Sequence, residues 1–217
     1  MSHLSRQRGY LRDAWLVILL ALVFGGGLAG VQSALSDKIA ENKRQETYSV
    51  IPELVSGADA AKTVELLIEG RDGKAARVYK VAASDGTHKG WVLPADGQGF
   101  ADRVEVLIGL DATLSTITGL YVLDQKETPG LGDYITGESF RNRFQGKPTD
   151  GSLTVVKGDP QADNEIRALT GATISSESVA AIVNGALANM KGPIQEQGVS
   201  SSGDSGLAPA APEGRAD

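Results

Sequence analysis

Residues 14–31 read AWLVILLALVFGGGLAGV, eighteen in succession without a charge. A run of that length is close to the minimum for a helix that crosses a bilayer, and Gln32–Leu35 extends it toward the interface. Arg6, Arg8 and Arg12 precede it, and Trp15 stands at its start in the position of an interfacial anchor. A cleavable signal peptide competes with this reading, because Val31-Gln32-Ser33-Ala34 offers small residues for cleavage. The apolar run is long for a signal h-region, so we expect a retained transmembrane helix at residues 14–35 after a cytoplasmic segment at 1–13. Lys38, Lys43 and Arg44 follow the span and balance the three arginines before it, so charge orients it only weakly. Gly25-Gly26-Gly27 with Gly30 gives the span a face of small residues, suited to close helix packing or to a lipid-facing kink.

The rest of the 217-residue chain has room for one domain with its own core. Asp37 to about Tyr48 is charged and reads as a stalk that continues the helix, within a linker over residues 36–60. Val64–Ile68, Ala76–Ala83, Lys89–Leu93, Val104–Leu110 and Ile117–Leu123 are short runs rich in β-branched residues. Arg71-Asp72-Gly73, Ser84-Asp85-Gly86 and Ala95-Asp96-Gly97 are turn signals between them. This pattern predicts a meandering antiparallel sheet. Gly137–Gln145 reads as a short helix and Leu153–Val156 as a further strand.

The clearest helix is Ser175–Lys191. Val179, Ile182, Val183, Ala186, Leu187 and Met190 fall at i, i+3, i+4, i+7, i+8 and i+11, one stripe suited to packing on the sheet. Ser175 or Ser176 is expected to cap its start, and Pro193 to end it. From Gly198 onward the chain holds almost no bulky apolar residue, which predicts disorder. The expected fold is therefore α+β, with one N-terminal transmembrane helix, a compact domain over 61–194 and a disordered tail at 195–217.

Composition excludes several functions. The formal net charge is −6, with Lys and Arg scattered, so there is no basic stripe to neutralise nucleic-acid phosphates. There is no cysteine, which removes disulfides, thiolate metal sites and iron–sulfur ligation. His3 and His88 are the only histidines and lie too far apart in the chain to suggest a metal site. No Ser-His-Asp set, paired-carboxylate arrangement or P-loop is present. Any redox chemistry must come from an organic cofactor.

Two segments carry chemistry. Leu169-Thr170-Gly171-Ala172-Thr173-Ile174-Ser175-Ser176 is a loop of small residues leading into the last helix. Unpaired N–H groups and the positive end of the helix dipole favour an anion there. Gly171 and Ala172 allow close backbone approach, and Thr170, Thr173, Ser175 and Ser176 add hydroxyls. By itself this reads first as an ordinary Ser/Thr-capped helix start, since hydroxyl-rich helix starts are common; the chemistry stops at a phosphate-sized anion near Thr173. The second segment is Glu127-Thr128-Pro129-Gly130-Leu131-Gly132. Pro129-Gly130 signals a type II turn, and Gly130 and Gly132 permit close approach to a ligand. Read alone it is a plain tight turn.

Thr170-Gly171-Ala172-Thr173-Ile174-Ser175 resembles the flavinylation motif of FMN-binding domains, (Ser/Thr)-Gly-Ala-Thr-x-(Ser/Thr). That family often has an acidic residue where this chain has Arg167. Glu127–Gly132 resembles a segment of the G subunit of the Rnf (Rsx) ion-translocating complex. The C subunit of the sodium-pumping NADH:quinone reductase has a related loop.

The resemblance implies FMN joined to Thr173 as a phosphoester, installed by a flavin transferase that takes FMN from FAD with a metal ion. It implies contacts from Thr170, Gly171, Ala172, Ser175, Ser176, Glu127, Thr128, Gly130 and Leu131. It also implies a place among other membrane subunits, in an inner-membrane complex that couples electron flow between ferredoxin and NAD to ion movement. The domain would lie on the periplasmic side, passing electrons without bond-making catalysis of its own. The C subunit of the quinone reductase and a non-redox tethered binding module are the alternatives. Trp91, Phe100 and Tyr121 are candidates for ring contact with the flavin, against a default of core packing. Lys126, Glu127, Asp133 and Tyr134 are candidates for electrostatic tuning, against a default of solvated loop charge. His88, beside Trp91, reads as structural.

Overall fold

The computed structural model describes residues 14–200, and the expected segment 1–13 and most of the expected tail lie outside the described residues. The first helix, α1, runs Trp15–Leu54 without a break, so the apolar run and the charged stalk are one element. None of its apolar window is buried, and it is the one helix among the described residues long and apolar enough to cross a membrane.

Residues up to Glu46 form one unit, and those from Thr47 a second. The folded domain thus begins at Thr47 rather than at residue 61. The reason is an apolar stripe: Thr47, Val50, Ile51 and Leu54 follow helical spacing and all are buried. The three apolar members close a core with Tyr79, Val81, Val92 and Leu107.

The expected strands form, as β1 (Val64–Glu69), β2 (Ala75–Ala82), β3 (His88–Gln98), β4 (Arg103–Asp111) and β5 (Ile117–Asp124). They pair antiparallel in the order β1-β2-β3-β4-β5. Strand geometry sends alternate residues to opposite faces. Val78, Trp91, Leu93, Val104, Val106, Ile108 and Leu110 therefore fill one core, and Tyr79, Val81, Val92 and Leu107 fill the other.

One turn signal misled. Ala95, Asp96 and Gly97 lie inside the β3–β4 ladder, opposite Val106, Glu105 and Val104. Pairing with β2 stops at Val92, so Pro94 sits where one edge of β3 is open and a missing N–H costs little. The chain reverses instead at residues 99–102, closed by Gly99 N–H to the Asp102 carbonyl at 2.8 Å.

The end of α1 approaches the sheet over two paired glycines, Gly109 and Gly119. A Cβ on Gly109 would lie 2.6 Å from the Leu54 carbonyl oxygen, which already accepts the Thr118 hydroxyl at 2.7 Å. Gly109→Ala should therefore push the helix end off the sheet. The expected loss is ~1–3 kcal/mol in urea denaturation, the usual cost of overpacking.

After β5 come a 3₁₀ turn at Gly132–Thr136 and a single-turn helix α2, Glu138–Arg141, shorter than the expected 137–145. Phe140 and Phe144 are fully buried and stack edge-to-face at 5.4 Å. β6 (Thr154–Val156) has a parallel partner, β7 (Glu165–Arg167), which its charged residues concealed in the sequence.

The last helix, α3, covers Thr173–Ser200. Three expectations are corrected there. Ser175 and Ser176 lie inside the helix rather than capping it, since Ser176 N–H already bonds the Ala172 carbonyl at 3.0 Å. Pro193 does not end the helix, and residues 195–200 are helical rather than disordered. A helical proline leaves the carbonyl four residues earlier without its N–H donor. That carbonyl, on Asn189, accepts Arg71 N–H at 3.2 Å, while Asn189 Oδ1 accepts Asp72 N–H at 3.0 Å. The β1–β2 turn thus supplies the missing donor, and fully buried Ile194 anchors the helix beyond the proline.

His88 packs edge-on against Trp91 at 5.1 Å, consistent with a structural role. Burial lowers its pKa, and Lys80 adds to the effect. The unfolded chain therefore takes up a proton, near pH 6.5 and below, that the folded domain resists. The melting temperature should fall as pH drops from 7.5 to 5, and His88→Gln should flatten that slope.

Candidate functional site

The two glycine-bearing segments meet. Thr128, Leu131 and Gly132 from one, and Gly171, Ala172, Thr173, Ile174 and Ser175 from the other, line a single cavity of ≈ 320 Å³ together with Phe100. That volume is at the lower end of the ~300–1,000 Å³ common for small-molecule sites.

The first turn of α3 forms one wall. Ala172 is the residue before the helix; its N–H bonds the Leu169 carbonyl at 3.1 Å. The N–H groups of Thr173, Ile174 and Ser175 precede the first intrahelical bond, so helix geometry provides them no acceptor. They face an anion-favouring end of a 28-residue helix. Gly171 adopts φ +82°, which L side chains rarely take, and a Cβ there would lie 3.1 Å from the Leu131 side chain. The turn before the helix therefore requires glycine. The Thr173 hydroxyl is borne on a half-buried residue at the cavity wall.

The opposing wall is the Thr128–Gly132 turn. Leu131 N–H bonds the Thr128 carbonyl at 3.2 Å, and Gly130 has φ +77°, the features of the expected type II turn. The Thr128 carbonyl also accepts Gly132 N–H at 3.0 Å, leading the chain into the 3₁₀ turn. Phe100, Leu131 and Ile174 are 59%, 48% and 54% exposed, which gives the cavity an exposed apolar rim. A phosphate at the helix start and a flat, largely apolar ring against the rim both fit these residues.

Not every expected contact lines the cavity. Thr170 and Gly130 lie outside its lining, both exposed. Ser176 is fully buried; its hydroxyl donates to the Ala172 carbonyl at 2.9 Å and accepts Leu169 N–H at 3.0 Å, tying the loop to the helix. Glu127 is buried behind the wall, with Ser175 Oγ donating to it at 2.6 Å. Of the aromatic candidates, Phe100 reaches the cavity. Trp91 is core, and Tyr121 packs with the opposite core under the Arg141 guanidinium at 4.9 Å. Lys126 pairs with Asp102 at 3.5 Å on the surface. Ile174 carries no signal in the sequence, because the motif pattern leaves its position free.

Arg143 steadies the approach to the loop, donating to the carbonyls of Arg167 and Ala168 at 2.6 and 3.0 Å. Arg167 itself pairs with Asp159 at 3.0 Å. Arg143→Ala should loosen residues 167–172 and lower stability by ~1–3 kcal/mol, the cost of leaving carbonyls without donors; amide exchange of that segment reads it out.

An antiparallel sheet carrying this cavity beside a long C-terminal helix is the arrangement of an FMN-binding domain, and the profile of the FMN-binding domain family matches residues 99–188. The fold is similar to the crystal structure of Shewanella oneidensis NqrC, with TM-score 0.53 and 22% identity over 59% of this chain and 63% of that one. The chain is 31% identical over 162 residues to the G subunit of the ion-translocating oxidoreductase complex of Methanosarcina acetivorans, covering 74% of this chain and 79% of that protein. It is also 31% identical over 134 residues to the C subunit of the Na+-translocating NADH-quinone reductase of Vibrio vulnificus, covering 56% of this chain and 52% of that protein. The chain belongs to the family of G subunits of ion-translocating oxidoreductase complexes.

Proposed function

We propose that this chain carries FMN as a phosphate ester of Thr173 and serves as an electron-carrying subunit of a ferredoxin:NAD-type ion-translocating complex. The observation that carries the reading is the convergence of residues from 128–132 and 171–175 on one cavity, with Thr173 in its lining at the first turn of α3, where helix geometry leaves N–H groups to bind an anion. FMN, when bound, supplies the one- and two-electron chemistry that no side chain here provides. In attachment the Thr173 oxygen forms a bond to phosphorus and the pyrophosphate bond of FAD breaks. AMP leaves, and the hydroxyl proton passes to the transferase or solvent. During turnover the chain makes no bond; it holds and tunes the flavin between neighbouring carriers.

The partners in this reading are other membrane subunits of the complex and, during maturation, the flavin transferase. α1 anchors the domain in the cytoplasmic membrane, with the domain on the outer side, where a covalent tether keeps the flavin from being lost. A match across 79% of a G subunit, against 52% of a quinone-reductase C subunit, favours the ferredoxin:NAD complex. The test is the tryptic peptide spanning residues 168–191, from protein made in its native membrane. It should carry the added mass of FMN less one water and fluoresce; an unmodified peptide from colourless protein refutes the reading.

A further inference from the structure

We propose that Glu127 is the positioning residue of the flavin site: a buried carboxylate strut that joins the two cavity walls, rather than a group that touches FMN. The inference rests on the attachment reading above for its functional consequence, but not for its structural one.

Among the described residues Glu127 is the only charged residue that is buried, at 4% exposure. A carboxylate is kept in such a place only when its oxygens are satisfied. Here both are. Ser175 Oγ donates to Oε2 at 2.6 Å, and Ala101 N–H donates to Oε1 at 3.1 Å. The Glu127 backbone is fixed in turn, its N–H donating to Gln125 Oε1 at 2.6 Å.

The surrounding chain is shaped to the carboxylate. A Cβ on Gly132 would lie 2.9 Å from Oε2 and from Ser175 Oγ, and one on Gly99 would lie 2.3 Å from Oε1. Four segments converge on this one group: the β3–β4 turn, the chain after β5, the 3₁₀ turn and the first turn of α3. Phe100 lies between Gly99 and Ala101, Thr128 follows Glu127, and Ser175 is two residues from Thr173. The strut therefore fixes the aromatic edge, the turn and the acceptor helix relative to one another. None of the cavity's lining residues is Glu127 itself.

The role is geometric, and glutamine can fill it. Its carbonyl oxygen can accept Ala101 N–H, while its amide donates to Ser175 Oγ. Alanine can do neither, and leaves a cavity beside two unpaired donors. Placement errors of ~1 Å can cost about 100-fold in rate, so attachment is the sensitive readout.

Glu127→Ala, Glu127→Gln, Ser175→Ala and the Glu127→Ala/Ser175→Ala double variant are to be made in the full-length chain, in membranes, with the flavin transferase co-expressed. Intact mass gives the initial rate of flavin attachment, and hydrogen exchange gives the protection of residues 128–133 and 169–176. Glu127→Ala is expected to slow attachment ~10–100-fold and to lose protection in both segments together. Glu127→Gln should stay within about threefold of wild type on both measures. The double variant should be no worse than Glu127→Ala, because both changes break the same bond.

Wild-type attachment and protection in Glu127→Ala overturn the proposal. So does a Glu127→Gln protein as impaired as Glu127→Ala. Should Glu127→Ala fail to fold, Ser175→Ala decides, since it cuts one end of the strut and removes only a hydroxyl. If wild-type protein carries no flavin at Thr173, the attachment reading fails, and the exchange data still judge the strut.

Discussion

Thr173→Ala protein, made with the flavin transferase present, should give a full-length band without flavin fluorescence after SDS, and a peptide of residues 168–191 at its unmodified mass. The expected effect is complete loss, because the change removes the oxygen proposed to accept the flavin. The domain should keep its stability within ~1 kcal/mol. Thr173 is only half-buried at the first position of α3, and alanine is the better helix former. Thr173→Ser restores an oxygen without the neighbouring methyl group and should recover part of the attachment. Thr170→Ala supplies the contrast. Thr170 does not line the cavity, so its loss should weaken attachment far less. Covalent flavin retained in Thr173→Ala would show that another residue accepts it.

The second large effect concerns where the domain begins. A chain starting at Thr47 should fold and unfold cooperatively, free of the apolar helix. A chain starting at residue 61, which keeps both motifs and strands β1 to β7, should not. It lacks Val50, Ile51, Leu54 and Val55, which are 8%, 0%, 2% and 2% exposed. Each such side chain contributes ~1.5–3 kcal/mol by burial, and together they rival the ~5–15 kcal/mol that holds a whole domain folded. Their loss also uncovers Tyr79, Val81, Val92 and Leu107, the second face of the sheet. The shorter chain should bind a hydrophobic dye such as ANS and lack a sharp thermal transition. Equal melting temperatures for the two chains would show that the end of α1 is dispensable.

Much of the fold was legible because local chemistry and tertiary demand agree over β1–β5. β-branched runs alternate with real turns, and the meander needs no long-range information beyond neighbour pairing. The failures share one cause, the presence of a distant partner. Ala95-Asp96-Gly97 has turn chemistry, but β4 offers it a ladder. Pro193 has stop chemistry, but Arg71 supplies the missing donor and Ile194 a buried anchor. Residues 47–54 read as part of a linker until the sheet's second face gives their apolar stripe something to cover.

At the site, the loop before the last helix and the Pro-Gly turn were legible in sequence alone: hydroxyls and glycine before an amphipathic helix, and Pro-Gly with glycine two residues on. Those are local requirements of backbone geometry and helix termini, and they survive in any fold. A membrane-length apolar helix was determined in the same way, since length and lack of charge suffice for that. Only the tertiary structure decided that the two segments, more than forty residues apart in the chain, share one cavity. It likewise decided that Phe100 joins them while Trp91 and Tyr121 do not, and that Glu127 faces inward between them. Those outcomes depend on which strand face points where and on which donors reach a buried carboxylate, and neither is encoded by spacing along the chain.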